Sequence, residues 1–394
     1  MSLSLYIHIP FCRHRCAYCD FNTYTSLGEL KEAYATAVCL ELAQVAGGKE
    51  RPFHTIFFGG GTPSLMSPQS IEQILRAVWD NFTPVGTPEV TMEANPGTVD
   101  GAYLAAVRAA GVNRISFGVQ SAIPGELALL EREHDFATAV AAVGLARAVG
   151  LDNFSLDLIY GLPGQTLATW RESLLATLAL DPPHLSLYCL TIEPGTPMER
   201  WLHTGRINAP DPDLAADQYA LACDLLGQHG YSHYEISNWA KPGAECAHNL
   251  TYWRDGEYLG LGAGAHGHAG GVRYAVVKQP RVYIRRLQGG EALATDIGLR
   301  GPGYPLSTAV ADHHSISHAE AMSDAVITQL RLLQEGLDLA AFAARFGQTL
   351  AEAFPGVVDQ LAGWGLLKEE GEYGRLFLTE KAYFLSNQVF YRFM

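Results

Sequence analysis

The stretch "YIHIPFCRHRCAYCDF", residues 6–21, sets Cys12, Cys16 and Cys19 in a C-x3-C-x2-C spacing directly after a short apolar run. Thiolates this close together hold metal. A structural zinc site closes with four ligands, so His8 or His14 would have to supply the fourth. His14 lies between two of the cysteines, an awkward place from which to reach the same ion. A [4Fe–4S] cluster has four irons; three thiolates hold three of them and leave one open to a small molecule with amino and carboxylate groups. Spacing alone leaves both readings standing, and the rest of the chain decides between them.

The chain has 394 residues, more than one hydrophobic core usually holds, so a large domain and a smaller one are expected. Its formal charge of −14 leaves no basic excess to neutralise phosphates, which argues against a general nucleic-acid binder but not against a small basic pocket. No run of 18 apolar residues is present, so no transmembrane helix is expected. The opening "MSLSLYIHIPF" has neither a basic segment nor a cleavage site and reads as a strand, not as a signal peptide. Seven cysteines, an odd number in a long chain, suit a reducing cytoplasm and a metal or redox site better than a disulfide framework.

Outward from the cysteines, strand patterns alternate with helical ones. "LYIHI" (5–9), "TIFF" (55–58), "EVTME" (89–93), "NRISFGV" (113–119), "NFSLDLI" (153–159) and "HLSLYCL" (184–190) are short runs rich in Ile, Val, Phe and Tyr. Helical patterns follow the first five near 28–46, from about Pro68, over 99–110, 136–149 and 167–179. Six βα units imply a parallel sheet, either doubly wound or an incomplete barrel. The unusual residues sit where each strand ends: Cys12 to Cys19, "GGGTPS" (59–64), Glu93, Gln120, Asp157, then Thr191 and Glu193. Any one of these reads equally well as an ordinary loop residue. Six in succession favour a barrel, whose reacting groups gather on that face.

The cysteine stretch followed one βα unit later by "FFGGGTPSLM" (57–66) resembles the radical S-adenosylmethionine (SAM) superfamily, in the branch around oxygen-independent coproporphyrinogen III oxidase. The resemblance covers most of the chain. It implies an α/β fold, a (β/α)6 partial barrel with additional small strands and a C-terminal helical, winged-helix-like domain. It also implies a cluster on Cys12, Cys16 and Cys19 whose open iron is chelated by the methionine end of SAM. By the same resemblance Gly60, Gly61 and Thr62 meet the amino-acid end of SAM, and Gly59 to Gly61 let the backbone approach with no Cβ in the way. Glu93 accepts hydrogen bonds from a ribose or an ammonium group, while Tyr6 and Tyr18 pack beside the cluster. Gln120, Arg132 and Asp157 match positions that hold a second SAM in the oxidase; a structural ion pair is the other reading of Arg132 and Asp157.

The resemblance then forks. The oxidase continues its motif to a further cysteine two places on, where this chain has Phe21, and carries an extension ahead of the cluster. "HNLTYW" (248–253) resembles the H-N-x-x-Y-W signature of HemW-type haem chaperones. That family implies a cytoplasmic protein, peripheral at the inner membrane, that binds haem and passes it to acceptor proteins, with SAM and cluster supporting a dimeric or assembled state. His248 is then the first-choice haem ligand, with Asn249 ordering the loop and Tyr252 and Trp253 flanking the ring. A satisfied structural histidine is the ordinary alternative, Cys246 is a rival ligand, and His266 and His268 are weaker ones. Cys39, Cys189 and Cys223 read as small hydrophobes. Because the residues assigned to SAM all remain, coproporphyrinogen oxidation or another radical SAM reaction stays open. The expected division is 1–210 for the barrel, 211–310 for an extension carrying the haem motif, and 311–394 for the C-terminal domain. In residues 331–394, 6 Lys/Arg against 8 Asp/Glu favour packing or partner docking over DNA.

Overall fold

The computed structural model describes residues 2–46, 51–289, 306–371 and 374–394. They form two compact units. The first comprises residues 1–218 and 257–314, and the second residues 219–256 and 315–394. The expected middle segment, 211–310, is thus shared between the two units, and its part from 290 to 305 lies outside the described residues.

In the first unit the six expected strands are β1 (Leu3–Ile9), β2 (Pro52–Gly60), β3 (Thr83–Ala94), β4 (Arg114–Gln120), β5 (Phe154–Tyr160) and β6 (His184–Cys189). Each pairs in parallel with the next in the chain. A doubly wound sheet would reverse direction at a switch point. None occurs here, and the incomplete barrel is the architecture. The strands read as near-continuous apolar runs because they are covered on both faces: in β1 and β5 all residues but the central one are buried.

The returning helices start at side-chain caps supplied by the loops. Ser67 caps Pro68–Asn81, Asp100 caps Gly101–Ala110, Asp135 caps Phe136–Ala148 and Thr166 caps Leu167–Leu178. Each cap fixes where a loop ends, and so how much chain is left over the strand ends. Since all six strands run the same way, their C-terminal ends share one rim. On its other edge β1 pairs in parallel with Tyr258–Leu261, followed by the antiparallel strands His266–Ala269 and Val272–Val276.

The second unit has its own core, built on Met322, Val326, Leu330, Phe342, Phe346, Leu361, Leu376, Val389, Phe390 and Phe393. Helices Leu339–Phe346 and Val357–Gly363 precede a hairpin of Leu367–Glu370 and Arg375–Leu378, with Leu337–Asp338 as a third strand. This is the expected helix, helix and wing, except that the second helical stretch is broken around Pro355 into Leu350–Ala353 and Val357–Gly363. Among the described residues no helix is long and apolar enough to cross a membrane.

One buried carboxylate ties the later part of the first unit to its beginning. Glu41, on helix Lys31–Val45 and 1% exposed, accepts hydrogen bonds from the Gly262 N–H (2.8 Å), the Tyr283 hydroxyl (2.6 Å) and the Ser307 hydroxyl (2.6 Å). Burial pushes its carboxyl up, and these three donors hold the shift back. Glu41→Ala leaves all three donors buried without their acceptor, a loss of about 3 kcal/mol at the usual cost of unsatisfied groups. Glu41→Gln, which keeps one acceptor oxygen, is expected to lose roughly half as much. Thermal melts of the two variants should rank them in that order below the parent; a Glu41→Ala melt superimposable on the parent's would remove this tie from the account.

Candidate functional site

The rim encloses a cavity of about 400 Å³, a size suited to a small organic ligand. Its lining brings together Cys12, Cys16, Tyr18, Cys19, Gly60, Gly61, Thr62, Glu93, Gln120, Arg132 and Asp157. Tyr6 is not among the lining residues: its hydroxyl lies 3.0 Å from His8 Nδ1, behind the glycine loop. His8 in turn lies 3.0 Å from the Asn22 carbonyl through Nε2, which ties the far end of the cysteine loop to β1.

The glycine loop and the cysteine loop are one construction. Beyond the last β1–β2 pair, Ile9 with Gly60, the Gly61 N–H donates to the Ile9 carbonyl and the Thr62 N–H to the Phe11 carbonyl, both at 2.8 Å. A Cβ on Gly61 would stand 2.8 Å from the Phe11 carbonyl oxygen and 3.1 Å from Cys12 Sγ. Gly60 has φ +110, and a side chain there would run into the His8 ring. Only glycine at both positions lets the loop lie this close to the first thiol.

Among the described residues no cysteine is in a disulfide. Cys12 Sγ accepts a hydrogen bond from the Thr62 hydroxyl (3.5 Å), and Cys16 Sγ from Arg132 Nη1 (3.4 Å). Burial pushes the thiols of Cys12 and Cys19 up, with neighbouring thiols adding to the effect. Metal binding must therefore displace their protons, and Arg132 supplies positive charge to the thiolates that remain. Among the described residues no group of three or more His, Cys, Asp or Glu could hold a single metal ion. The three thiols line one cavity.

Across the cavity, Glu93 accepts from the Gly60 N–H at 3.1 Å. Burial first, and the charge of Asp157 second, push its carboxyl up to about 7. Asp157 sits at the middle of β5, deeper than a strand-end reading places it. Burial raises its carboxyl too, but Ser116 donates to both of its oxygens (3.0 and 2.9 Å), Ser155 donates to one (3.0 Å), and the Arg114 guanidinium adds attraction. Burial thus raises both carboxyls of the site, and each is held back by its own donors. Arg132 also donates from Nη2 to the Gly118 carbonyl (2.7 Å), while its buried Nε has no acceptor. Gln120 adopts a left-handed φ of 70 at an irregularity in the β4–β5 register. That is a costly conformation for a residue other than glycine, and it turns the side chain toward the cavity.

Sequence reasoning missed several contributors. Ser116, Ser155 and Arg114 read as ordinary strand residues; the one available signal was a run of polar residues inside otherwise apolar strands. Cys189 was expected to pack as a small hydrophobe but is exposed and lines the cavity, because the last two residues of β6 project beyond the packed layer.

The expected haem motif lies in the second unit, on helix Ala247–Trp253. Cys246 is fully buried and His248 is 1% exposed, whereas Tyr252 and Trp253 are half-buried. His248 Nε2 lies 2.8 Å from the Tyr252 hydroxyl, one helical turn on, with the two rings at 90°. The end of the helix is held by residues far along the chain: the Arg331 guanidinium stacks 4.1 Å from the Trp253 ring centre, Arg254 pairs with Glu335 (2.5 Å) and Asp255 with Arg345 (2.7 Å). His266 and His268 are not with them; they lie in the first unit, on strand His266–Ala269.

Comparison with known proteins follows the same division. Residues 6–176 match the Radical SAM superfamily and residues 316–385 the HemN C-terminal domain. The chain is 35% identical to the Heme chaperone HemW of Bacillus subtilis (strain 168), over 99% of both chains. It is 37% identical to the Heme chaperone HemW of Mycobacterium tuberculosis (strain CDC 1551 / Oshkosh), over 98% of this chain and 93% of that one. Among solved structures, the coproporphyrinogen III oxidase (HemN) from Escherichia coli, described as a radical SAM enzyme, superposes with a TM-score of 0.83 over 100% of this chain and 90% of its own, at 24% identity, a likeness of fold. Radical SAM membership implies a [4Fe–4S] cluster and SAM. With whole-length relatives above 30% identity and the fold in agreement, this chain belongs to the HemW family of the radical SAM superfamily.

Proposed function

We propose that this protein is a haem chaperone: it binds haem at residues 248–253 and delivers it to acceptor proteins, supported by a cluster and SAM in the barrel. The observation that carries this reading is the whole-length match to relatives named heme chaperones, which includes the second unit and its HNLTYW helix. Cys12, Cys16 and Cys19 hold the cluster, which when bound supplies an open iron for the amino and carboxylate groups of SAM. Gly60, Gly61 and Thr62 offer backbone to that end of SAM. Glu93 and Asp157 supply acceptors for its cationic and hydroxyl groups. Gln120, on the strand between those of Glu93 and Asp157, and Arg132 beside it complete the lining. The protein works in the cytoplasm, peripheral at the inner membrane, and the SAM-loaded barrel favours its dimeric state.

The competing reading is oxidation of coproporphyrinogen. The fold it shares with the oxidase does not discriminate. Phe21 does bear on the question: it stands where the oxidase motif has a cysteine, is 60% exposed and lines the cavity mouth. A bulky apolar ring there replaces a thiol directly beside the cluster loop.

Three outcomes follow. Iron and acid-labile sulfide should be lost in each of Cys12→Ala, Cys16→Ala and Cys19→Ala after anaerobic reconstitution, and retained in Cys39→Ala; stoichiometric zinc without sulfide in the parent would contradict the cluster. SAM affinity should rise with pH through about 7, because Glu93 is protonated below that value and becomes an anion above it. Glu93→Gln should bind more weakly and flatten the profile, so a pH slope that survives this substitution points to another group. Finally, the reconstituted chain with SAM and a low-potential reductant should form no protoporphyrinogen IX from coproporphyrinogen III, as followed by porphyrin fluorescence after oxidation. Turnover in that assay would promote the oxidase reading.

A further inference from the structure

We infer that the haem iron is met by the oxygen of Tyr252, with His248 as the residue that takes the phenol's proton, so that His248 is a positioning residue and not itself the iron ligand. This rests on the haem-binding reading of residues 248–253.

Three observations point this way. First, accessibility is the reverse of what direct ligation by His248 needs: the imidazole is 1% exposed, while Tyr252, on the same face one turn later, is half-buried. Second, the ring nitrogen that would meet iron is already engaged, 2.8 Å from the Tyr252 hydroxyl, with the two rings perpendicular. Ligation by His248 would break this bond and turn a buried ring outward. Ligation by Tyr252 keeps the pair together. Third, the helix has little freedom to rearrange, because Arg331, Glu335 and Arg345 hold Trp253, Arg254 and Asp255 in succession. Cys246, the rival thiol, is fully buried at the start of the helix.

The chemistry is balanced without an outside reagent. In the tautomer where Nε2 carries no proton, it accepts from the Tyr252 hydroxyl. When ferric haem arrives, the iron–oxygen bond forms, the O–H bond breaks and the proton passes to Nε2. That N–H then donates back to the phenolate oxygen. The iron stays ferric and no electron moves. A phenolate is an established type of axial haem ligand, and as a hard anion it prefers ferric to ferrous iron. The same pair therefore holds oxidised haem firmly and loosens its hold when the iron is reduced, a property suited to a protein that must give its cargo away.

The test is titration of the full-length chain with ferric haem, followed by absorption and resonance Raman spectroscopy, with a thermal melt on each variant to establish folding. The parent complex should show tyrosinate modes. Tyr252→Phe, which removes one oxygen and little else, should abolish them and weaken binding about tenfold or more. His248→Ala should retain the tyrosinate modes with weaker binding, and His248→Gln, which restores a hydrogen-bonding side chain, should recover part of the loss. Reduction with dithionite should weaken the parent complex and leave the residual binding of Tyr252→Phe largely unchanged. An imidazole-ligated parent spectrum that survives in Tyr252→Phe and disappears in His248→Ala overturns the inference and leaves the haem-binding reading intact. A thiolate spectrum lost in Cys246→Ser does the same. Failure of the folded parent to bind haem at all overturns the haem-binding reading, and this inference with it.

Discussion

Two backbone hydrogen bonds, from Gly61 to Ile9 and from Thr62 to Phe11, make the rim a site and not merely the end of a sheet. They continue the pairing of the first two strands past the strand ends and into the loops. The first cysteine is thereby fixed relative to the glycine loop by main-chain geometry. The parallel direction of all six strands then brings Glu93, Gln120 and Asp157 to the same opening. A side chain on residue 61 would separate the two loops, and the rest of the cavity would lose its reference point.

The electrostatics around that opening are arranged by depth. Asp157 sits within the barrel wall with serine hydroxyls and Arg114 supporting its charge, while Glu93, nearer the glycine loop, has a single backbone donor and Asp157 for a neighbour. Burial raises both acids, and different donors hold each of them back. Arg132 bridges the thiol of Cys16 and the Gly118 carbonyl, on the strand next to that of Asp157, so the charge that favours thiolates is anchored to the sheet itself.

The barrel and most of its site were legible in the sequence because both rest on short-range patterns. Parallel strands covered on two faces write themselves as apolar runs, and a cysteine spacing or a glycine triplet is local. What escaped was set by partners distant in the chain. The serines that steady Asp157 look like any small strand residue, and nothing near Cys189 announces that β6 overruns its helices. In the HNLTYW stretch the sequence names the residues but not their order of exposure. His248 and Tyr252 are equally prominent as letters, and only the packing of the helix shows that one is buried behind the other. The expected domain boundaries followed the order of the chain, whereas contacts join residues 219–256 to the C-terminal segment.

That interleaving has a consequence for how the protein is made. Chains emerge from the ribosome in order and fold by compact units. The barrel unit can be completed once residue 314 has appeared, with its cysteines and glycine loop in place. The HNLTYW helix emerges earlier than that, yet it must wait: Arg331, Glu335 and Arg345, which grip its far end, are synthesised after the barrel unit. The barrel unit can therefore be complete before the HNLTYW helix has the partners that hold its far end, and a nascent or truncated product cannot present that helix in its finished setting ahead of the rest of the molecule.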